Sequence, residues 1–401
     1  MAASNTEGLP PLILLHGIKG SQILSRSKKV LFLNLKQGLG LQVPELSLPV
    51  QWEDTEDGPR QGTDGTHPGK MLENVAGIFS ALLSSTKAYA SILDWAREKY
   101  GREVVVNGFL GDDYSNSDAD MMEKMALGST SKRFFVFTYD WRRDNNETAE
   151  RFLNVVKKLN GVLGEKIQVI GHSNGGLVAW SAINSNPEYF HSALFAATPF
   201  GPSLSFLKDM SVKVGFKSLT PEVLFTHPSY YCYYPVYDIK TSDGESAYEI
   251  KKKVVFIADE HGNEVDMDYA NANAWKDMGL LFPNLEKVES EDMSHLQTCL
   301  GQAIKFRKTL EVKDPDSLPP LAVLASNSRA TRVGCVVKEI DGSKIYDFSK
   351  GSTVMGDGRV PFENATPPRD CNYKVYTTDK EHSAILDDVE KVEQIINELT
   401  L

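Results

Sequence analysis

Short unbroken apolar runs, separated by amphipathic stretches, set the rhythm of this chain. Pro11–Leu15, Phe134–Phe137, Ile167–Ile170, Ser192–Ala197 and Leu321–Ala325 are such runs, with Lys374–Thr377 a weaker one. Runs of this length without polar alternation predict strands buried on both faces, as in parallel sheets. Between them the period changes. Phe152, Val155, Val156 and Leu159 recur at helical spacing within 149–159, and Val389, Val392, Ile395, Ile396 and Leu399 repeat the pattern at the end of the chain. Strands alternating with helices predict an α/β fold: a mostly parallel central sheet with helices on both faces.

Two stretches break the alternation. Residues 21–87 are irregular and rich in Gly, Pro and Asp; 202–319 are mixed, with Tyr230, Tyr231, Tyr233 and Tyr234 clustered early. Loops this long are uncommon in compact domains unless they serve as lids or binding loops. The reading is therefore one domain over 1–401, carrying a lid-like insertion at 21–87 and a cap insertion at 202–319. Composition fits that reading: 401 residues, 41% hydrophobic and 24% charged, is an ordinary globular balance. A net charge of −11 argues against a nucleic-acid partner and against docking on anionic membranes by charge. No apolar run nears the roughly 20 residues of a membrane span. Met1–Pro10 lacks the basic and apolar regions of a secretory leader. A soluble, cytoplasmic protein is expected. Cys232, Cys299, Cys335 and Cys371 are far apart with no CxxC, so neither a metal knuckle nor a disulfide scaffold is indicated.

The chemistry concentrates at Gly171-His172-Ser173-Asn174-Gly175, which fits G-x-S-x-G between an apolar strand and the helical run Leu177-Val178-Ala179-Trp180. A sharp strand-to-helix turn needs small residues around the serine and lifts its hydroxyl to the helix N-terminus. A serine hydroxyl is a weak nucleophile, so it needs a base, and the base needs an orienting carboxylate. With such a turn, carboxylate and base follow the serine in that order. His227, His261 and His295 fall in the cap insertion. His382 lies between the 374–377 strand and the last helix, where a loop at the carboxyl edge of the sheet belongs, and is the candidate base. For the carboxylate, Asp357 in Gly356-Asp357-Gly358-Arg359-Val360-Pro361 is favoured, with glycines on both sides for a tight turn. Asp341-Gly342 reads as a hairpin turn, and Asp347 and Asp379 are weaker rivals. Two backbone donors for an oxyanion are expected from Asn174, which follows the serine, and from Ile18 in the loop after the first strand. His16 reads as a turn residue. Asp140 and Arg142 read as a buried pair supporting a strand end, with substrate contact as the alternative. The tyrosine cluster suits an acyl channel or the core of the cap.

Together these blocks resemble the lecithin:cholesterol acyltransferase-like family, which includes phospholipid:diacylglycerol acyltransferases and the lysosomal phospholipase A2 type, all α/β-hydrolases. The resemblance rests on Leu14–Ser21, Tyr139-Asp140-Trp141-Arg142, the 171–176 turn, Ala197-Thr198-Pro199-Phe200-Gly201, 356–361 and Glu381-His382, in that order from about residue 11 to 386. It implies an α/β-hydrolase fold and a serine-dependent O-acyltransferase or acyl hydrolase of lipid esters. In that scheme Ser173 accepts the acyl group, Asp357 and His382 complete the triad, and Ile18 and Asn174 form the oxyanion hole. It also implies a lipid ester as the partner, no metal or cofactor, and a lid tryptophan at the substrate, for which Trp52 is the match. Contact with a membrane or lipid-droplet surface would run through the apolar lid. Two alternatives stay open: a lipase or phospholipase using only water, and a non-catalytic lipid-binding protein on the same fold. The chain departs from the family pattern in two places. No cysteine precedes residue 232 to staple the lid, and Arg359 stands where a small hydroxyl residue is usual.

Overall fold

The computed structural model describes residues 8–33, 37, 46–73, 89–108, 133–211, 219–248, 255–281 and 289–400. Parts of the lid-like stretch (34–36, 38–45 and 74–87) and of the cap stretch (212–218, 249–254 and 282–288) lie outside them.

Seven strands form the central sheet: β1 (Leu12–Leu15), β2 (Val104–Gly108), β3 (Phe134–Tyr139), β4 (Ile167–His172), β5 (Phe190–Ala196), β6 (Leu321–Ser326) and β7 (Lys374–Thr378). Their order is β7-β6-β5-β4-β1-β3-β2, and every neighbouring pair is parallel. The six runs read from the sequence are six of these strands. The seventh, β2, stands at the end of that order and, among the described residues, pairs with β3.

The unbroken apolar runs have a direct structural cause. Successive strand residues point to opposite faces, and here both faces are covered. Ile13, Leu15, Phe135, Phe137, Val169, Ala193 and Phe195 join one core with α2 (Asn145–Leu163) and α3 (Asn174–Ser185). Their alternates Leu12, Leu14, Phe134, Val136, Ile170 and Leu194 join the other, with α1 (Ala90–Tyr100) and the C-terminal helix Val389–Thr400. The first α2 turn is capped by Asp144, whose side chain accepts from the Asn146 N–H.

Described residues of both interrupting stretches reach the carboxyl ends of strands: Ser21 Oγ donates to the Tyr139 carbonyl, and Tyr233 Oη donates to Asn174. Ser21–Leu24 pairs with Val30–Phe32 and with His67–Met71, and Trp52–Thr55 forms a hairpin with Gly58–Gln61. Arg142 anchors this region: it is 1% exposed and donates to Asp140, Asp64, Thr66 and the Leu46 carbonyl, while Arg143 reaches Asp64. Burial alone would raise the Asp140 carboxyl, but Arg142 and Arg143 hold it down to about 2. These bonds give the Asp140–Arg142 pair its structural role, and they tie down the 46–66 segment where no cysteine does.

In the cap stretch, helix α4 (Ser290–Lys308) packs against the 3-10 turn Pro228–Tyr233 and against α2. Tyr230, Tyr231, Tyr233 and Tyr234 are fully buried there and, with Trp275, form cap core. The cap does not stand alone. Ile257–Ala258 pairs with Cys335–Ile340, which turns at Asp341-Gly342 into Ser343–Asp347, the hairpin expected from the sequence. Among the described residues no helix is long and apolar enough to cross a membrane, and all four cysteines are buried and unpaired.

Candidate active site

Ser173 sits between β4 and α3 with φ 52 and ψ −123, a left-handed conformation rare for a residue with a side chain. The surrounding glycines explain how the turn tolerates it. A Cβ on Gly175 would lie 2.4 Å from the His16 carbonyl oxygen, and one on Gly17 would lie 2.8 Å from the Ser173 Cβ. The serine is therefore pressed against the loop that leaves β1, at the carboxyl edge of the sheet. There the strand order reverses around β1, a place where ligands of open α/β sheets bind.

His382 begins a 3-10 turn after β7. Its Nε2 lies 3.0 Å from Ser173 Oγ and its Nδ1 lies 2.8 Å from Asp357 Oδ2. Asp357 is 2% exposed and follows the strand Thr353–Gly356. Its other oxygen accepts from the backbone N–H groups of Arg359 (2.8 Å) and Val360 (2.6 Å). Burial would raise this carboxyl, yet the adjacent His382 and these hydrogen bonds hold it below the usual range, so it is a carboxylate. A carboxylate only accepts, so Nδ1 donates to it, and the other ring nitrogen, Nε2, is turned toward the serine hydroxyl. Arg359 contributes to Asp357 through its backbone N–H. Its positive charge acts on Lys19, Tyr230 and Tyr233.

Of the expected oxyanion donors, Asn174 directly follows Ser173, and Ile18 follows Gly17, whose backbone lies against the serine. Asn174 opens α3, where the first N–H groups have no intrahelical acceptor. Neither N–H donates to any acceptor among the described residues. Fully buried bonds fix both segments. The Asn174 side chain exchanges hydrogen bonds with Asn145, donates to Tyr139 Oη and accepts from Tyr233 Oη, while Tyr139 Oη donates to the His16 carbonyl. His16 stacks on Tyr139 and, lowered by burial to about 4, stays neutral, as a turn residue would.

The structure thus brings together Ser173, Asp357, His382, Ile18 and Asn174. Trp52, matched to a lid tryptophan, donates from its Nε1 to His295 Nδ1 at 2.9 Å. His295 and His227 are buried and bonded to the Phe225 and Leu46 carbonyls. Tyr139, Asn145 and Tyr233 escaped the sequence reading as supports of the site. Tyr139 stood out only as part of the Tyr139–Arg142 block and Tyr233 only as part of the tyrosine cluster, while Asn145 had no signal beyond its place at the start of a helix.

No protein-family model matches the chain, and no curated protein matches it. Among solved structures it is similar to the mature form of a Bacillus licheniformis lipase, at TM-score 0.34 and 12% identity, covering 75% of this chain and 91% of that one. Est1E from Butyrivibrio proteoclasticus gives 0.31 and 11%, covering 74% and 87%. A Paleococcus ferrophilus monoacylglycerol lipase gives 0.29 and 14%, covering 74% and 93%. The chain has an α/β-hydrolase fold. Its own topology carries that statement: a parallel sheet, helices on both faces, and a strand–serine–helix turn at the carboxyl edge.

Proposed function

We propose that this chain is a serine-dependent enzyme that takes the acyl group of a lipid ester onto Ser173 and passes it to water or to an alcohol. The observation that carries the reading is the continuous line from Asp357 through His382 to Ser173 Oγ, with bonds of 2.8 and 3.0 Å. His382 Nε2 takes the serine proton as Oγ attacks the ester carbonyl. The Ile18 and Asn174 N–H groups receive the developing oxyanion, and Asp357 stabilises the imidazolium that forms. Collapse breaks the ester C–O bond, and Nε2 returns the proton to the departing alcohol. Water or a second alcohol then gives its proton to Nε2 as it attacks the acyl-enzyme, and Nε2 passes that proton to Ser173 Oγ as the acyl–serine bond breaks. Every proton and charge in this scheme is handled by the chain's own groups.

The lipid substrate and the transfer to an alcohol are supported by the likeness to the lecithin:cholesterol acyltransferase-like family in the motifs from Leu14 to His382. The low exposure of Ser173, 5%, also supports transfer, since excluding water favours another acceptor. On this reading 21–87 and 202–319 are lid and cap on a single domain, and lipid surfaces are met through the lid. The test supplies a labelled phospholipid with and without a long-chain alcohol. Free fatty acid alone, in both arms, means a hydrolase. Labelled ester in the second arm means an acyltransferase. No release in either, with lipid still bound, would overturn the reading in favour of a binding protein.

A further inference from the structure

His172, the unspecified residue in G-x-S-x-G, is buried beside the site without touching Ser173 Oγ or Asp357. Its Nε2 lies 3.0 Å from the His382 carbonyl oxygen. A carbonyl only accepts, so Nε2 carries the proton. Burial lowers this histidine to about 3, so the ring is neutral and Nδ1 is bare. Tyr89 Oη, 2.7 Å away, must then donate to Nδ1, and the same oxygen accepts the Gly17 N–H at 2.8 Å. Each polar group in the series Gly17, Tyr89, His172, His382 has one available role, so the direction of every bond is fixed.

The series joins the carboxyl ends of β1, β4 and β7 through Tyr89, the N-cap residue of α1. Gly17 lies in the loop after β1 and immediately precedes Ile18. His172 ends β4. His382 follows β7, which β5 and β6 separate from β4. The base loop must lean across that gap, and its backbone is gripped on both polar sides: the His382 N–H donates to the Asp357 carbonyl at 3.0 Å, and its carbonyl accepts from His172. At the other end, Gly17 is the residue whose added Cβ would strike Ser173.

We propose that His172 and Tyr89 are positioning residues that hold the loop of the base and the loop of the Ile18 oxyanion donor in register with Ser173. The inference rests on the reading of Ser173 and His382 as nucleophile and base. A misplacement of about 1 Å in such a constellation can lower the rate about 100-fold.

The test uses the full chain with Tyr89→Phe, His172→Phe, His172→Gln and the Tyr89→Phe/His172→Phe pair. Each is assayed for the rate of Ser173 labelling by a fluorophosphonate, and for kcat and KM on a soluble p-nitrophenyl ester per labelled site. Melting temperature is followed alongside. His172→Phe is expected to lower labelling and kcat by roughly 10- to 100-fold with KM within about twofold. His172→Gln, which keeps a donor for the His382 carbonyl, recovers part of the loss. Tyr89→Phe removes a single oxygen and lowers kcat by about 10-fold in the wild-type background but far less beside His172→Phe, because the two act as a unit. Should His172→Phe fail to fold, Tyr89→Phe and His172→Gln carry the test. Variants that label and turn over like the wild type overturn the inference, as do Tyr89 and His172 effects that simply multiply. If the wild type itself does not label at Ser173, the underlying reading of the nucleophile fails instead.

Discussion

His382 Nε2 stands 3.0 Å from Ser173 Oγ although 209 positions separate the two residues in the chain. Only the parallel sheet brings them together, by stacking the carboxyl ends of β4 and β7 along one edge. The role of Asp357 follows from the same geometry. Asp357→Asn keeps the shape but lets an amide donate toward Nδ1, which favours the wrong tautomer of His382. A fall in kcat of roughly 1,000- to 10,000-fold is expected, with the melting temperature near wild type. Steady-state kinetics beside a thermal melt would show it; a loss under tenfold would remove Asp357 from the triad.

The Asp140–Arg142 pair makes a prediction about acid. Asp140 is held down to about 2, below its ordinary value of 3.8, so it binds its proton more readily unfolded than folded. Its contribution is therefore complete above the unfolded value and is lost as pH falls from about 4 toward 2. Urea midpoints measured across that window should drop in the wild type and flatten in Asp140→Asn.

Removing the cation is more severe. Arg142→Ala removes the main partner of buried Asp140 and the bonds to Asp64, Thr66 and the Leu46 carbonyl, leaving only Arg143 beside the two carboxylates, so a loss of about 3–5 kcal/mol is expected. Chemical denaturation reads it directly, and a loss below about 1 kcal/mol would mean that the 46–66 segment is held by something else.

Gly175→Ala sets two effects against each other. Alanine favours a helix over glycine by about 1 kcal/mol, but here its Cβ would meet the His16 carbonyl at 2.4 Å and the Leu15 Cβ at 2.8 Å. Backbone cannot yield cheaply, so the clash should win, with a net loss of about 1–3 kcal/mol and a matching loss of labelling at Ser173. A stabilised variant would show that the turn after β4 has room to relax.

What could be read from the sequence divides along physical lines. Leu12–Leu15, Ile167–His172 and Leu321–Ser326 were legible because strands buried on both faces carry no polar alternation. Val104–Gly108 was not, being a three-valine run at the end of the strand order that, among the described residues, pairs with β3. The pairing of Ser21–Leu24 with His67–Met71, and of Ile257–Ala258 with Cys335–Ile340, depends on contacts across long stretches of chain. No local period encodes them. Ser173 and His382 stood out because a motif and a chain order constrain them, and Asp357 because glycines bracket it. His172 and Tyr89 left no such mark: their roles are set by a carbonyl and an amide that any residue would supply. Trp52 was matched by family likeness alone, and its indole N–H is bonded to His295.

The central claim is that Ser173 carries the acyl group. A quenched-flow reaction with a p-nitrophenyl ester, followed by peptide mass analysis, tests it most directly. A burst of about one equivalent of p-nitrophenol per enzyme is expected, with the acyl mass on the peptide containing Ser173 and neither signal in Ser173→Ala. Undiminished turnover by Ser173→Ala, or an acyl adduct on a different residue, would contradict it.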